Sequence, residues 1–222
     1  FADEVRASDE FFRIYTQGIR ALEALEKKMA AGEFILTWMD EIMGRDRLEP
    51  WLAFADATRK LTDMRIYITI HNRDQKKVDR AAPYIDIRGY HGHTIDSWLG
   101  EGHTFRELRA ELEQHDAEAW TYYNIREIAV TSEWVRLCNG YWLWRGPIRA
   151  HTPWTYYHYG NSPFDDLDSE QHDFAYAAPH PDEPKMVSTL EWECYREGYD
   201  DLRYLATLEA AIEHAAAEAP DS

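Results

Sequence analysis

Asp40 and Glu41 close the run Phe34-Ile35-Leu36-Thr37-Trp38-Met39, which is apolar, β-branched and aromatic. In α/β proteins chemistry gathers at the carboxyl ends of strands. Two acids that share a dry recess cannot both ionise cheaply, so their pKa values separate. One acid that keeps its proton beside one that has lost it is equipped to cleave a glycosidic bond. Neighbours on a regular strand point to opposite faces, so both acids serve one site only if the chain leaves the strand at Asp40. In a chain this acidic, a solvated acidic turn is the competing reading.

Aromatic side chains come next. Tyr122 and Tyr123, Trp142 and Trp144, then Trp154, Tyr156 and Tyr157 fall at or beyond expected strand ends. Barrel layers favour branched aliphatics, so rings with polar tips at those places read as pocket wall, against the plainer reading of core. Sugars lay their C–H faces on such rings and bond to the ring O–H and N–H groups. An expected loop at 89–103 adds Tyr90, His91, His93, Asp96, Trp98 and His103. Tyr90 and His91 join Tyr122, Tyr123, Trp142, Trp144 and Trp154 as candidate substrate contacts. His91-Gly92-His93 could hold a metal at a strand end. No further spacing completes such a site, so neither a metal nor another cofactor is expected.

The chain has 222 residues, 41 acidic against 24 basic, for a formal charge of −17. A surface that negative repels phosphate backbones and anionic lipid, which argues against nucleic acid and membrane surfaces as partners. A neutral glycan or other small-molecule substrate suits it better. Cys138 and Cys194 are the only cysteines, with neither a disulfide framework nor zinc spacing. No apolar stretch reaches membrane-spanning length, so no membrane insertion is expected. Phe1 is not Met and no signal peptide follows it, so the start reads as the cut edge of a longer chain. Oligomeric state and compartment stay open at this level.

Helix and strand patterns alternate. Residues 8–31 place Phe11, Tyr15, Ile19, Leu22, Leu25 and Met29 on one helical face, and Gly32 stops that helix. Strands are expected at 34–39, 65–70, 84–88, 120–124 and 141–144. Helices are expected from Pro50, at 73–82, from 104 to 118 and at 127–138. Thr104 with Glu107, and Ser188 with Glu191, are capping boxes. The second opens a closing helix at 188–214, after a long aromatic loop at 145–187. Gly198 inside that helix costs about 1 kcal/mol against Ala, which implies close packing there. Arg196 and Glu197 form a candidate buried ion pair. About five parallel strands alternating with helices give an α/β fold, read as the C-terminal part of a (β/α)8 TIM-type barrel that fills residues 1–222 as one partial domain. An open doubly wound sheet is the alternative, but it lacks a glycine-rich phosphate loop.

The stretch Leu190-Glu191-Trp192-Glu193-Cys194-Tyr195-Arg196-Glu197-Gly198-Tyr199-Asp200-Asp201-Leu202-Arg203-Tyr204-Leu205 resembles the closing helix of glycoside hydrolase family 123 and of the related DUF4091 catalytic domains. Gly140 through Trp144 resembles their last barrel strand, Trp120 through Tyr123 the strand before it, and Phe34 through Glu41 the strand carrying their Asp-Glu pair. Ile42 follows that pair where the family commonly has Pro. The resemblance implies a β-N-acetylgalactosaminidase-type enzyme in which the sugar's own acetamido oxygen attacks the anomeric carbon. Glu41 would be the general acid/base and Asp40 would hold the acetamido N–H. Trp144 would floor the sugar site, and Tyr122 or Tyr123 would bond the acetamido carbonyl. A secreted or periplasmic location also comes from the family. Three rivals stand beside it: a two-carboxylate glycosidase pairing Glu41 with Glu127 or Asp165, a non-catalytic carbohydrate-binding protein, and a metal-dependent hydrolase centred on His91 and His93.

Overall fold

The computed structural model describes residues 9–29, 32–44, 47–123, 132–158, 160, 162, 165, 167 and 174–218. In chain order the elements are α1 Asp9–Met29, α2 Leu48–Arg59, β1 Tyr67–Ile70, α3 Gln75–Ala81, β2 Ile87–His91, α4 Gly92–Gly100, α5 Phe105–Gln114, β3 Glu118–Tyr122, α6 Ser132–Asn139, α7 Tyr141–Arg145, β4 Ile148–His151, β5 Tyr157–His158, β6 Phe174–Ala175, β7 Ala177–Pro179, β8 Met186–Ser188 and α8 Leu190–Glu218. The architecture is mixed α/β, with parallel strands between helices. Two compact units divide it: Phe1–Tyr90 with Glu111–Ala117, and His91–Ala110 with Glu118–Ser222. Among the described residues no helix is long and apolar enough to cross a membrane.

In the first unit, α1 turns Phe11, Tyr15 and Ile19 inward, as its 3.6-residue period requires. Tyr15 packs on Phe54 of α2 at 4.6 Å between ring centroids, and Trp38 meets the same ring edge-on at 5.0 Å. Tyr15 Oη and Thr58 Oγ1 share a hydrogen bond of 2.9 Å. Trp38 thereby fixes the extended segment 34–39, whose ladder contact is one parallel bridge, Leu36 to Ile66. There the Leu36 N–H donates to Arg65 O at 2.8 Å and the Tyr67 N–H to Leu36 O at 2.9 Å. β1 runs parallel to β2 with Ile68 opposite Arg88 and Thr69 opposite Gly89. Ile66, Ile68 and Ile70 are fully buried. Asp86 anchors the start of β2 by accepting from the Ile66 N–H at 2.6 Å and from Arg59.

In the second unit β3 runs parallel to β4, with Thr121 opposite His151 and an irregularity between Ala119 and Trp120. β5 with β6, and β7 with β8, are short antiparallel pairs. The Thr104–Glu107 capping box opens α5 as expected: the Glu107 N–H donates to Thr104 Oγ1 at 3.3 Å, and Glu107 Oε2 accepts from the Thr104 N–H at 2.6 Å. α8 packs on α6. A Cβ on Gly198 would stand 2.5 Å from Arg136 O, and one on Gly140 would stand 3.3 Å from Gly198 Cα. The two glycines let backbone touch backbone, and Arg136 clasps Asp201 through two 2.7 Å bonds beside them. Every residue of α8 from Ala206 to Glu218 is exposed.

Several expectations need correction. Residues 141–144 form the helix α7 rather than a strand. A four-residue aromatic run between Gly140 and Gly146 is too short for periodicity to separate the two. The parallel strand expected there is β4, seven residues further on, inside the expected loop at 145–187. The loop expected at 89–103 contains the end of β2 and all of α4, which buries Ile95. The closing helix is capped by Thr189, whose Oγ1 accepts from the Trp192 N–H at 3.3 Å, rather than by Ser188. Arg196 and Glu197 pair on the surface, in a network with Glu193 and Asp200, rather than in the core. The expected start of a helix at 127 lies outside the described residues.

The packing at Gly198 reverses the usual helix rule. Gly198→Ala should destabilise the protein by about 1–3 kcal/mol through overpacking, where an open helix position would gain roughly 1 kcal/mol. Urea unfolding of the two chains decides the sign.

Candidate functional site

The acid pair sits where the chain abandons its extended path. Glu41 adopts φ 52°, in the left-handed region, which for a residue other than glycine costs on the order of 1 kcal/mol or more. Two burials hold it there: Ile42 and Met43 turn into the core, and the Gly44 N–H closes the turn on Glu41 O at 3.1 Å. One hydroxyl serves both acids. Thr69 Oγ1, near the carboxyl end of β1, donates to Asp40 Oδ1 and accepts from the Glu41 N–H at 2.8 Å. Arg47 Nη1 donates to Asp40 O at 2.9 Å and Lys77 Nζ to Met43 O at 2.8 Å, bracing the turn from either side. His71 Nδ1 stands 3.6 Å from Glu41 Oε1.

The pair does not lie in the dry recess the sequence suggested. Asp40 is exposed, and the Glu41 side chain keeps 40% of its surface open. Within the first unit the turn presents both carboxylates on a solvent-facing rim, where they can accept hydrogen bonds from a ligand.

A second group of polar rings gathers in the other unit. His91, Tyr122 and His151 are the last residues of β2, β3 and β4. The His91 ring meets Tyr122 edge-on at 4.9 Å, and Tyr123 lies 6.0 Å from His91, 6.2 Å from His93 and 5.7 Å from His151. Gly92 makes this possible: a Cβ there would fall 1.9 Å from the Tyr123 ring. Trp142 closes on Tyr123 at 6.2 Å. His151 Nδ1 shares a 3.3 Å hydrogen bond with Thr121 Oγ1, while its buried Nε2 has no hydrogen-bond partner among the described residues. Burial lowers the His151 imidazole to about 4, so the ring is neutral near pH 7. Burial likewise pushes the Cys138 thiol up to about 12, against a hydrogen bond with Tyr123 that pulls the other way. Desolvation also raises Asp96, opposed by the charge of His93.

The expected contacts therefore separate. His91, Tyr122, Tyr123 and Trp142 come together. Trp144 stands on the surface of α7, and its Nε1–H donates to Glu209 of α8 at 2.9 Å. Trp154 is exposed beside His158. Tyr90 is buried in the first unit and accepts from Arg73 Nη1 at 3.1 Å. Among the described residues no group of three His, Cys, Asp or Glu side chains could hold a metal ion. Asp165 is exposed and accepts from the Leu167 N–H at 3.1 Å, and Glu127 lies outside the described residues. Sequence reasoning missed Thr69, His71, Thr121 and His151. Thr69 and His71 sit at the end of a strand that was recognised, so strand-end position alone could have flagged them.

No family model, no curated protein and no solved structure matches the chain.

His151 gives the second unit a pH signature. Between pH 6.5 and 4 the unfolded chain takes up a proton that the folded chain refuses, so this residue makes stability fall as pH falls. The loss reaches about 3 kcal/mol by pH 4 and vanishes above about pH 7. Denaturation curves of His151→Gln should lack that part of the slope.

Proposed function

We propose that the protein is a glycoside hydrolase acting on β-linked N-acetylhexosamine with help from the substrate's acetamido group. The observation that carries this reading is the shared hydroxyl of Thr69, which keeps Asp40 and Glu41 on one rim near a strand's carboxyl end. Glu41 gives its proton to the leaving oxygen while the acetamido oxygen closes on the anomeric carbon. Asp40, ionised, takes the acetamido N–H and offsets the positive charge of the oxazolinium-like ring. Water then opens that ring and its proton returns to Glu41. Because both acids face solvent in the free protein, the sugar itself must exclude the water that would otherwise weaken these interactions. The resemblance of the chain to glycoside hydrolase family 123 supports the same chemistry, and with it a placement of the parallel strands in the C-terminal part of a (β/α)8 barrel.

One observation favours a second reading. The exposure of both acids suits a hydrophilic rim on a carbohydrate-binding protein that performs no hydrolysis.

Activity on aryl β-N-acetylhexosaminides separates the readings. Glu41→Gln should lose at least about 100-fold in kcat while sugar binding survives, and Asp40→Asn should be similarly impaired. Substrates without the acetamido group should be inert; their cleavage points to two-carboxylate chemistry instead. Glycan binding by calorimetry with no turnover in the unaltered chain supports the non-catalytic reading.

A further inference from the structure

Arg88 lies in β2 with its side chain 0% exposed. An arginine stays charged across the pH range in which proteins fold, so this is a buried cation with five N–H donors to place. Its Nη1 donates to Glu111 Oε1. Among the described residues its Nε and Nη2 have no hydrogen-bond partner. The other oxygen of Glu111, Oε2, accepts from Arg73 Nη2. A single carboxylate thus divides itself between two guanidiniums. Buried charged donors left without acceptors are among the costliest features a fold can carry.

Nε and Nη2 make up one edge of the planar guanidinium. Their two N–H groups run parallel, at the spacing of two oxygens of a carboxylate or phosphoryl group. We propose that this edge of Arg88 is the binding site for an oxyanion, a carboxylate or phosphoryl group carried by a small ligand. Water is the plain alternative, since two buried waters would also satisfy the donors. An anion does more than water, because it also offsets the charge of a cation removed from solvent. The surroundings are built to keep Arg88 where it is. Arg73 is tied to Tyr90 Oη at 3.1 Å and lies 5.5 Å from that ring's centroid, which steadies the carboxylate of Glu111 between the two arginines. The Glu111 side chain, 19% exposed, is the most open of the three.

This site is separate from the acid pair. Arg88 pairs with Ile68, and Thr69 pairs with Gly89. Alternate residues of a strand face opposite sides, so Arg88 and Thr69 leave the β1–β2 ladder on different faces. Oxyanion binding therefore stands or falls independently of hydrolysis at Asp40 and Glu41.

The test titrates inorganic phosphate and acetate separately into the full chain, with ionic strength held constant by chloride. Calorimetry should show saturable binding of at least one of them, accompanied by a rise in melting temperature that chloride does not give. Phosphate alone identifies a phosphoryl ligand, acetate alone a carboxylate. Arg88→Lys keeps the charge but loses the fork, and should weaken binding by about tenfold or more. Nitrogen NMR of the unaltered chain reads the same site without any variant: the arginine Nε–H signal that moves should be one protected from solvent exchange. The proposal is overturned if neither oxyanion binds, if folded Arg88→Lys binds as tightly as the original, or if only rapidly exchanging arginine signals move.

Discussion

The interlock of Trp38, Phe54 and Tyr15 is the contact from which the acid turn follows. Segment 34–39 has one bridge to its neighbour, made of two backbone hydrogen bonds. That is too little ladder to hold an extended segment in water, where even a two-stranded hairpin is marginal. The rings supply what the ladder lacks. Phe54 receives Tyr15 on one side and the edge of Trp38 on another, and aromatic pairs of this kind are worth about 0.5–1.5 kcal/mol each beyond the area they bury. With Trp38 fixed, Asp40 arrives beside Thr69, and Ile42 and Met43 arrive at the core. The left-handed backbone at Glu41 joins the two.

The second unit relies on absence of side chain rather than on presence. Gly92 admits the Tyr123 ring, while Gly140 and Gly198 admit backbone to backbone. Around the admitted ring the polar groups lose water: Cys138 keeps its proton and His151 loses its own. Val135, Cys138 and Tyr176 complete that layer, with Cys194 and Tyr195 packed against it from α8. The same burial that makes these groups inert toward bulk solvent leaves His151 Nε2 without a hydrogen-bond partner among the described residues.

Long periodic segments were legible in the sequence. The helix at 8–31 appears as Asp9–Met29, and the Thr104–Glu107 box caps its helix as written. The close packing inferred from Gly198 is there, because a glycine in a helix interior needs a reason. Short segments were not legible. Tyr141-Trp142-Leu143-Trp144 carries strand-forming residues, yet its place between α6 and β4 makes it a helical turn. Ile148-Arg149-Ala150-His151 alternates weakly and was lost among prolines and aromatics. With that strand went His151, since a histidine in a loop gives no sign that it will be buried. For the acid pair, sequence located the turn but could not tell its solvation. Dryness depends on what covers a residue, and that is set by elements distant in the chain.

The backbone at Glu41 has a consequence for how this protein can change. Glycine adopts a left-handed conformation freely, and asparagine more readily than glutamate. Selection for heat resistance alone would therefore drift toward either of them at this position and discard the carboxylate. A lineage that retains glutamate there accepts a less durable fold in exchange for an acid at the rim.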